Sequence, residues 1–256
     1  MKPRRISGNR TAEDIPTKHY QEQAEAITKP RQEPPQVIDT SIQSQDQFWT
    51  IAGVNYRNGI YQVDLSKSLL EGTKTQDQWA EYSRQARINN QFYVGDSPLH
   101  HALFRTLYNN REGPKKQEIE EIRAFLQDKM RKHLPATLTR VRYKPQGEDE
   151  ILHSYKQDDQ YSVSANMVGK DGKVTGIEKA ALKAVLDDDN RDEIDAVYRW
   201  INNTDVFLWR LNQKPESLDE RVVVFDAVSV GVDLYCGRVP LVSSSAFGVR
   251  VAKIST

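Results

Sequence analysis

Residues 221–252 alternate in character from one residue to the next, and this alternation constrains the fold more than any other feature of the chain. They read RVVVFDAVSVGVDLYCGRVPLVSSSAFGVRVA. A period of two is typical of β-strands, in which successive side chains point to opposite faces of a sheet. The stretch therefore predicts extended chain close to the C-terminus.

The two faces of this extended chain carry different kinds of residue. One set suits a framework and comprises Phe225, Ala227, Ser229, Val232, Leu234, Cys236, Arg238 and Pro240. The interleaved set comprises Val224, Asp226, Val228, Val230, Asp233, Tyr235, Gly237, Val239 and Leu241. It mixes aliphatic, acidic, aromatic and glycine residues, which is not typical of a strand face that packs on a core. We expect the interleaved set to face solvent.

The composition of the same stretch is also unusual. The whole chain is 28% charged, yet residues 221–252 contain no Lys, Glu, Gln, Met or Trp. The charged residues are Arg221, Asp226, Asp233, Arg238 and Arg250. We expect the three arginines to make hydrogen bonds within the framework.

Overall charge and cysteine content exclude several classes of protein. The 256 residues include 36 basic and 36 acidic side chains, so no net field attracts nucleic acid or an anionic membrane. The single cysteine, Cys236, allows neither an intrachain disulfide nor a cysteine-based zinc site, and we expect it to be buried. No signal peptide or membrane span is visible. We expect a soluble, cytoplasmic protein, unless it reaches a virion or cell surface by a route that the sequence does not reveal.

The chain divides into a tail and one folded domain. Residues 1–45 are rich in proline and polar side chains, so we expect them to be flexible or to fold only on a partner. Residues 46–256 have the pattern of an α+β domain. Asn58-Gly59 predicts a hairpin turn, and Ser97-Pro98 predicts a helix start capped by Ser97. Predicted helices cover residues 76–89, 97–110, 115–134, 177–187 and 191–201. Predicted strands cover residues 136–144, 150–155, 160–168 and 205–212. The last of these strands contains Trp209, and we expect it to be buried.

No motif for catalysis or metal binding stands out. His100 and His101 are adjacent on a helix, so their side chains diverge and cannot bind one ion together. Asp187–Asp189 lack the glycine and glutamate of a calcium loop, and Gly169-Lys170-Asp171-Gly172 predicts a turn, not a phosphate cradle. We expect no metal, no cofactor and no enzymatic activity.

The C-terminal motifs resemble two related protein groups. The ending Phe247-Gly248-Val249-Arg250-Val251-Ala252 resembles the closing strand of C-type-lectin-like domains of the formylglycine-generating-enzyme type. The wider framework resembles the variable proteins of diversity-generating retroelements, particularly those of archaea and their viruses. Its matching positions are Arg221-Val222, Phe225, Ala227, Leu234, Cys236-x-Arg238-x-Pro240, Ser243-x-Ser245 and Gly248–Ala252.

In that family a reverse transcriptase copies a template with errors at adenines, commonly within Asn codons that end in a pyrimidine. Randomising the first two bases of such a codon never yields Lys, Glu, Gln, Met or Trp, which are the five residue types missing from residues 221–252. The resemblance implies a C-type-lectin-like α+β fold, with helices flanking a small, mostly antiparallel sheet and long irregular loops. It also implies a hypervariable ligand-binding surface formed by Val224, Asp226, Val228, Val230, Asp233, Tyr235, Gly237, Val239, Leu241, Val242 and Ser244.

The sequence departs from other members of this fold. It lacks the Glu-Pro-Asn and Trp-Asn-Asp motifs of calcium-dependent lectins and the cysteine pair of formylglycine-generating enzymes, so their ligands and activity are not carried over. The resemblance therefore implies a non-enzymatic, receptor-like or adhesin-like protein that binds an unknown protein or other macromolecule, with Tyr235 as the best anchor. Two alternatives remain open: an enzyme with a pocket beside Ser243–Ser245, or a structural or virion protein whose tail oligomerises.

Overall fold

The computed structural model describes residues 41–228 and 231–254. A tail was predicted for residues 1–45, and residues 1–40 of it lie outside the described residues. The expectation of a flexible tail is wrong for β1 (Ile42–Ser44), because this strand pairs with the next one and buries Ile42 in the core. The folded domain therefore begins before residue 46.

Within the described residues, the first sheet has four strands and includes the last of these strands along the chain. Its order is β1, β2 (Phe48–Tyr56), β3 (Gly59–Leu69) and β11 (Phe247–Lys253), all antiparallel. The predicted hairpin joins β2 to β3, and Arg57 in its turn has a left-handed φ of 51°. Arg250 of β11 donates to Asp64 of β3 at 2.9 Å, so this arginine supports the framework as expected.

The second sheet has seven strands in the part of the chain that the structure describes. They are β4 (Ala136–Tyr143), β5 (Asp149–His153), β6 (Tyr161–Ala165), β7 (Gly172–Lys173), β8 (Val206–Trp209), β9 (Asp219–Val228) and β10 (Gly231–Arg238). Their spatial order is β6-β5-β4-β9-β10-β8-β7, and only the β8–β10 pair is parallel. The α+β class is confirmed, but two sheets of four and seven strands replace the small sheet that was expected.

The described residues form five α-helices close to the predicted positions. They are α1 (Gln76–Ile88), α2 (Ser97–Asn109), α3 (Lys116–His133), α4 (Lys179–Leu186) and α5 (Arg191–Asn202). The cap predicted for α2 is wrong by one residue. Asp96 is the cap, because its carboxylate accepts the Leu99 N–H at 2.9 Å, whereas the Ser97 hydroxyl donates to the Val185 carbonyl.

The seven-stranded sheet is covered on both faces where β4 meets β9. On one face Phe225 contacts Phe104 of α2 and Tyr198 of α5 within the larger hydrophobic core. On the other face Val224 packs with Trp79 of α1 and Ala246 in a second core. Apolar side chains at successive positions of β9 are thus buried on opposite sides.

Candidate ligand-binding surface

Four of the eight framework residues lie in the core, whereas Arg238 and Pro240 are partly exposed and Val232 is placed only by its strand position. Phe225, Ala227, Leu234 and Cys236 are buried on the face of β9 and β10 that belongs to the larger core. Ser229 lies outside the described residues. The assignment of these four positions to a framework is confirmed.

The interleaved set does not all face solvent. Val224 is fully buried and Ser244 is almost so, and the expectation that they lie on an exposed surface is therefore wrong. The reason is that the chain after β10 returns across this face of the sheet. The Ser244 carbonyl accepts the Trp79 indole N–H at 2.8 Å, and the Ser245 carbonyl accepts the Ala136 N–H at 2.8 Å.

The remaining positions of the predicted surface divide into three groups. Asp226, Tyr235 and Gly237 are partly exposed on β9 and β10. Val239, Leu241 and Val242, directly after β10, are exposed by 41%, 79% and 44%. Val230 lies outside the described residues, and Val228 and Asp233 are placed only by their strand positions, where Asp233 pairs with Asp226.

The loop that carries the exposed side chains is fixed at both ends. The Pro240 carbonyl accepts the Gln76 N–H at 3.2 Å, and Val242 N–H closes a turn onto the Val239 carbonyl at 3.1 Å. Arg238 donates to the Ser243 carbonyl at 3.4 Å, and Ser244 pairs with Lys74 through two backbone hydrogen bonds. The backbone is thus held by fixed partners while the side chains at 239, 241 and 242 stay exposed.

One further residue of this region, Trp209, was not predicted to be exposed. Trp209 was expected to be buried, but it is 40% exposed, because β8 alternates and buries Val206 and Leu208 instead. In the parallel pair of β8 and β10, Trp209 is the register partner of Tyr235. The period-two pattern Val-Phe-Leu-Trp was the signal that could have placed it. We use the name C-terminal surface for Trp209, Asp226, Tyr235, Val239, Leu241 and Val242.

Two charged side chains of β9 are Asp226, which belongs to the C-terminal surface, and Arg221, which lies outside it. Partial burial raises the pKa of Asp226, and the positive charge of Arg238 opposes this increase. Arg221 binds Asp219 through two hydrogen bonds of 2.8 and 2.7 Å and donates to the Gly237 carbonyl at 3.2 Å. The roles expected for Arg221 and Arg238 as framework donors fit these contacts.

Gly237 lies so close to Tyr235 that only glycine fits without a movement of the ring. A Cβ at residue 237 would lie 2.9 Å from Cε2 of Tyr235. We expect Gly237→Ala to turn the half-exposed ring away while changing the unfolding free energy by less than about 1 kcal/mol, since a surface ring can change rotamer. NMR contacts of the Tyr235 ring measure the change. Gly176→Ala, where the new Cβ meets no atom within 4 Å, is the control. An unmoved Tyr235 ring would contradict this expectation.

Most of the groups considered for catalysis are engaged or buried. Burial raises the pKa of the Cys236 thiol to about 12, so this thiol is protonated at neutral pH. His153 makes hydrogen bonds through both ring nitrogens, with the Ala184 carbonyl at 2.8 Å and the Thr139 hydroxyl at 3.1 Å. Of Ser243–Ser245, only Ser243 is exposed. Within residues 41–228 and 231–254, no group of three His, Cys, Asp or Glu residues is arranged to hold a metal ion.

Comparisons with models of protein families, with curated proteins and with solved structures found no match. Among the described residues, no helix has the length and apolar character needed to cross a membrane.

Proposed function

We propose that this chain is a non-enzymatic ligand-binding protein with a C-type-lectin-like fold, and that the C-terminal surface is its recognition site. The observation that carries the proposal is the position of the exposed apolar side chains. Six large hydrophobic residues are exposed in the described chain, and Val239, Leu241 and Val242 are three of them. Exposed apolar side chains that cluster in this way usually mark an interaction surface.

The fixed backbone that carries these side chains also favours binding. The loop is fixed by hydrogen bonds to α1 and to Lys74, and Tyr235 rests partly on the second core. A surface that is already ordered loses little conformational entropy on contact with a ligand. Tyr235 and Trp209 are neighbouring aromatic side chains, and such residues often contribute most of the binding free energy at protein interfaces. A protein ligand fits this chemistry best.

We further propose that the exposed positions are diversified by a retroelement. Asp226, Tyr235, Val239, Leu241 and Val242 all belong to the residue types that adenine-directed mutation of Asn codons can produce. Sequencing the DNA around the gene tests this proposal. The expected result is a nearly identical repeat that differs only at adenines, together with a reverse transcriptase gene. Absence of both would contradict diversification but not ligand binding.

A pair of displayed libraries tests the recognition site directly. The first library randomises Tyr235, Val239, Leu241 and Val242, and the second randomises the buried Phe225, Leu234 and Cys236. We expect most clones of the first library to stay resistant to protease and some to bind purified lysozyme after selection. Most clones of the second library should be degraded. The proposal fails if both libraries lose folding equally or if no folded clone of the first library can be selected for binding.

A further inference from the structure

The strand β6 (Tyr161–Ala165) is the outermost strand at one end of the seven-stranded sheet, and it pairs only with β5. The pairing with β5 runs through all five residues of β6 without a bulge. Among the described residues, β6 forms no backbone–backbone hydrogen bond outside this pair. The N–H and C=O groups on its outer side are therefore open, and such a row of groups can pair with another strand.

In the part of the chain that the structure describes, the other three sheet edges are short or covered. The edge strands β1 and β7 have three and two residues. The edge strand β11 contains Arg250 and Lys253, and two backbone hydrogen bonds of 2.9 and 2.8 Å join its Val249 to Tyr93. Short strands, covered strands and charged side chains are common means of preventing association at sheet edges. The strand β6 has five residues and contains no charged residue, proline or glycine, so its edge lacks this protection.

The side chains of β6 alternate between the two faces of the sheet. Ser162 and Ser164 are exposed, whereas Val163 is partly buried and packs against the larger core. Tyr161 lies on the same face as Val163, with its ring 4.8 Å from that of His153 between centroids. The exposed part of Val163 is apolar surface that a neighbouring strand would cover.

The sequence of β6, Tyr-Ser-Val-Ser-Ala, is nearly symmetrical about Val163. When two copies pair antiparallel about this residue, the two Val163 side chains face each other. Ser162 of each copy then faces Ser164 of the other, and Tyr161 faces Ala165. Apolar side chains thus meet apolar ones and hydroxyl groups meet hydroxyl groups, which are favourable cross-strand pairs. The chain has 36 basic and 36 acidic residues, so no net charge opposes the approach of a second copy.

We propose that β6 is a dimerisation edge, at which two copies of this chain join their seven-stranded sheets by antiparallel β6–β6 pairing around a twofold axis at Val163. A twofold contact uses the same edge of both copies, so the assembly is closed after two chains and does not continue into a fibre. In the sheet order, β5 and β4 lie between β6 and β9, and the pairing uses no residue of the C-terminal surface. The inference is independent of the recognition function proposed above.

Sedimentation of the full chain at concentrations up to about 500 µM tests the proposal, because small interfaces are often weak. We expect an equilibrium between monomer and dimer. Ser162→Lys combined with Ser164→Lys should weaken the dimer at least about tenfold, because lysines would face lysines across the pair. Ser162→Lys combined with Ser164→Glu should dimerise at least as tightly as the unchanged chain, because each new lysine would face a glutamate.

The matched control for the added charge is Gln62→Lys combined with Ser68→Lys. Both residues are exposed on β3, which is paired on both sides, so this variant gains the same charge away from an open edge. It should dimerise as the unchanged chain does. Leu241→Ser changes only the C-terminal surface and should also leave dimerisation unchanged. Circular dichroism confirms that each variant is folded.

A disulfide cross-link tests the register of the pair. Val163→Cys places two thiols on facing residues, whose Cα atoms lie about 4.5–5.5 Å apart in antiparallel strands, and a disulfide can span this distance. Mild oxidation should therefore convert this variant to covalent dimers. Ser162→Cys is the matched control, because its two thiols would lie on diagonal positions about 7–8 Å apart, beyond the reach of a disulfide. The single native cysteine, Cys236, is fully buried and should not react.

Four results would overturn the proposal. They are equal dimerisation of the two charged β6 variants, equal cross-linking of the two cysteine variants, loss of the dimer in Leu241→Ser, and a chain that stays monomeric at every concentration. The third result would assign the contact to the C-terminal surface. The fourth would leave the open edge of β6 to a strand from a different protein.

Discussion

Phe225→Ala is expected to lower the free energy of unfolding by about 3–5 kcal/mol, the usual cost of emptying a buried phenylalanine site. The Phe225 ring lies 5.5 Å from that of Phe104, 5.7 Å from that of His100 and 6.2 Å from that of Tyr198, measured between centroids. The alanine variant would leave a cavity between β9 and two helices that other side chains cannot easily fill. Urea denaturation followed by circular dichroism measures the loss.

Leu241→Ala is the matched comparison within the same stretch of sequence. Leu241 is the most exposed of the large apolar side chains described, so its truncation should change stability by less than about 0.5 kcal/mol. A large loss in Leu241→Ala, or a negligible one in Phe225→Ala, would contradict the division into a buried framework and an exposed surface. That division is the basis of the proposed recognition site.

The second large effect is a loss of stability on mild acidification. Burial lowers the pKa of His100 from 6.5 to about 4, and burial also lowers the pKa values of His101 and His153. The His100 Nδ1–H donates to the Asp96 carbonyl at 2.9 Å, while Nε2 has no partner among the described residues. Protonation would therefore place a charge among the rings of Phe104, Phe225 and Phe247.

The direction of this effect follows from the depressed pKa. The neutral form of His100 stabilises the fold fully above the unfolded-state pKa of 6.5, and this contribution is lost as the pH falls to the folded-state value. The difference corresponds to about 3 kcal/mol for His100 alone. Urea denaturation at pH 7, 6, 5 and 4 should show a steady decrease. The exposed His133 provides the control, since His133→Gln should leave the decrease unchanged. A flat profile between pH 6.5 and 5 would show that His100 is not held neutral by the fold.

Local sequence signals predicted the helices and the first hairpin well. The spacing of Trp79, Tyr82 and Ala86 on α1 follows the helical repeat. A hairpin forms at the predicted place, although its two turn residues are Arg57 and Asn58, and Gly59 already belongs to β3. Contacts between distant segments were not predictable in the same way. Ile42 lies in a polar segment, and nothing local indicates that it pairs with Ile51. Asp96 and Ser97 are both good capping residues, and the choice depends on Ser97 bonding to Val185, 88 residues away.

The period-two alternation predicts which residues of a strand are exposed only where one face of that strand is open to solvent. Alternation placed Phe225, Leu234 and Cys236 correctly in the core, because that face meets the helices. It failed for Val224 because α1 and residues 244–246 cover the opposite face, and a period of two cannot distinguish a covered second face from an exposed one. Trp209 was missed for the converse reason: the segment 205–212 was expected to be buried, whereas one face of β8 is partly open.

Residues 221–252 contribute strands to both sheets, since β9 and β10 lie inside the seven-stranded sheet and β11 closes the four-stranded one. The segment therefore cannot be exchanged between proteins as an independent cassette, because its removal would take strands from two layers at once. Insertions and deletions between β10 and β11 would shift Ser244 and Ser245 away from Lys74 and Ala136. New surfaces on this scaffold should therefore arise by replacing side chains one position at a time, at constant loop length.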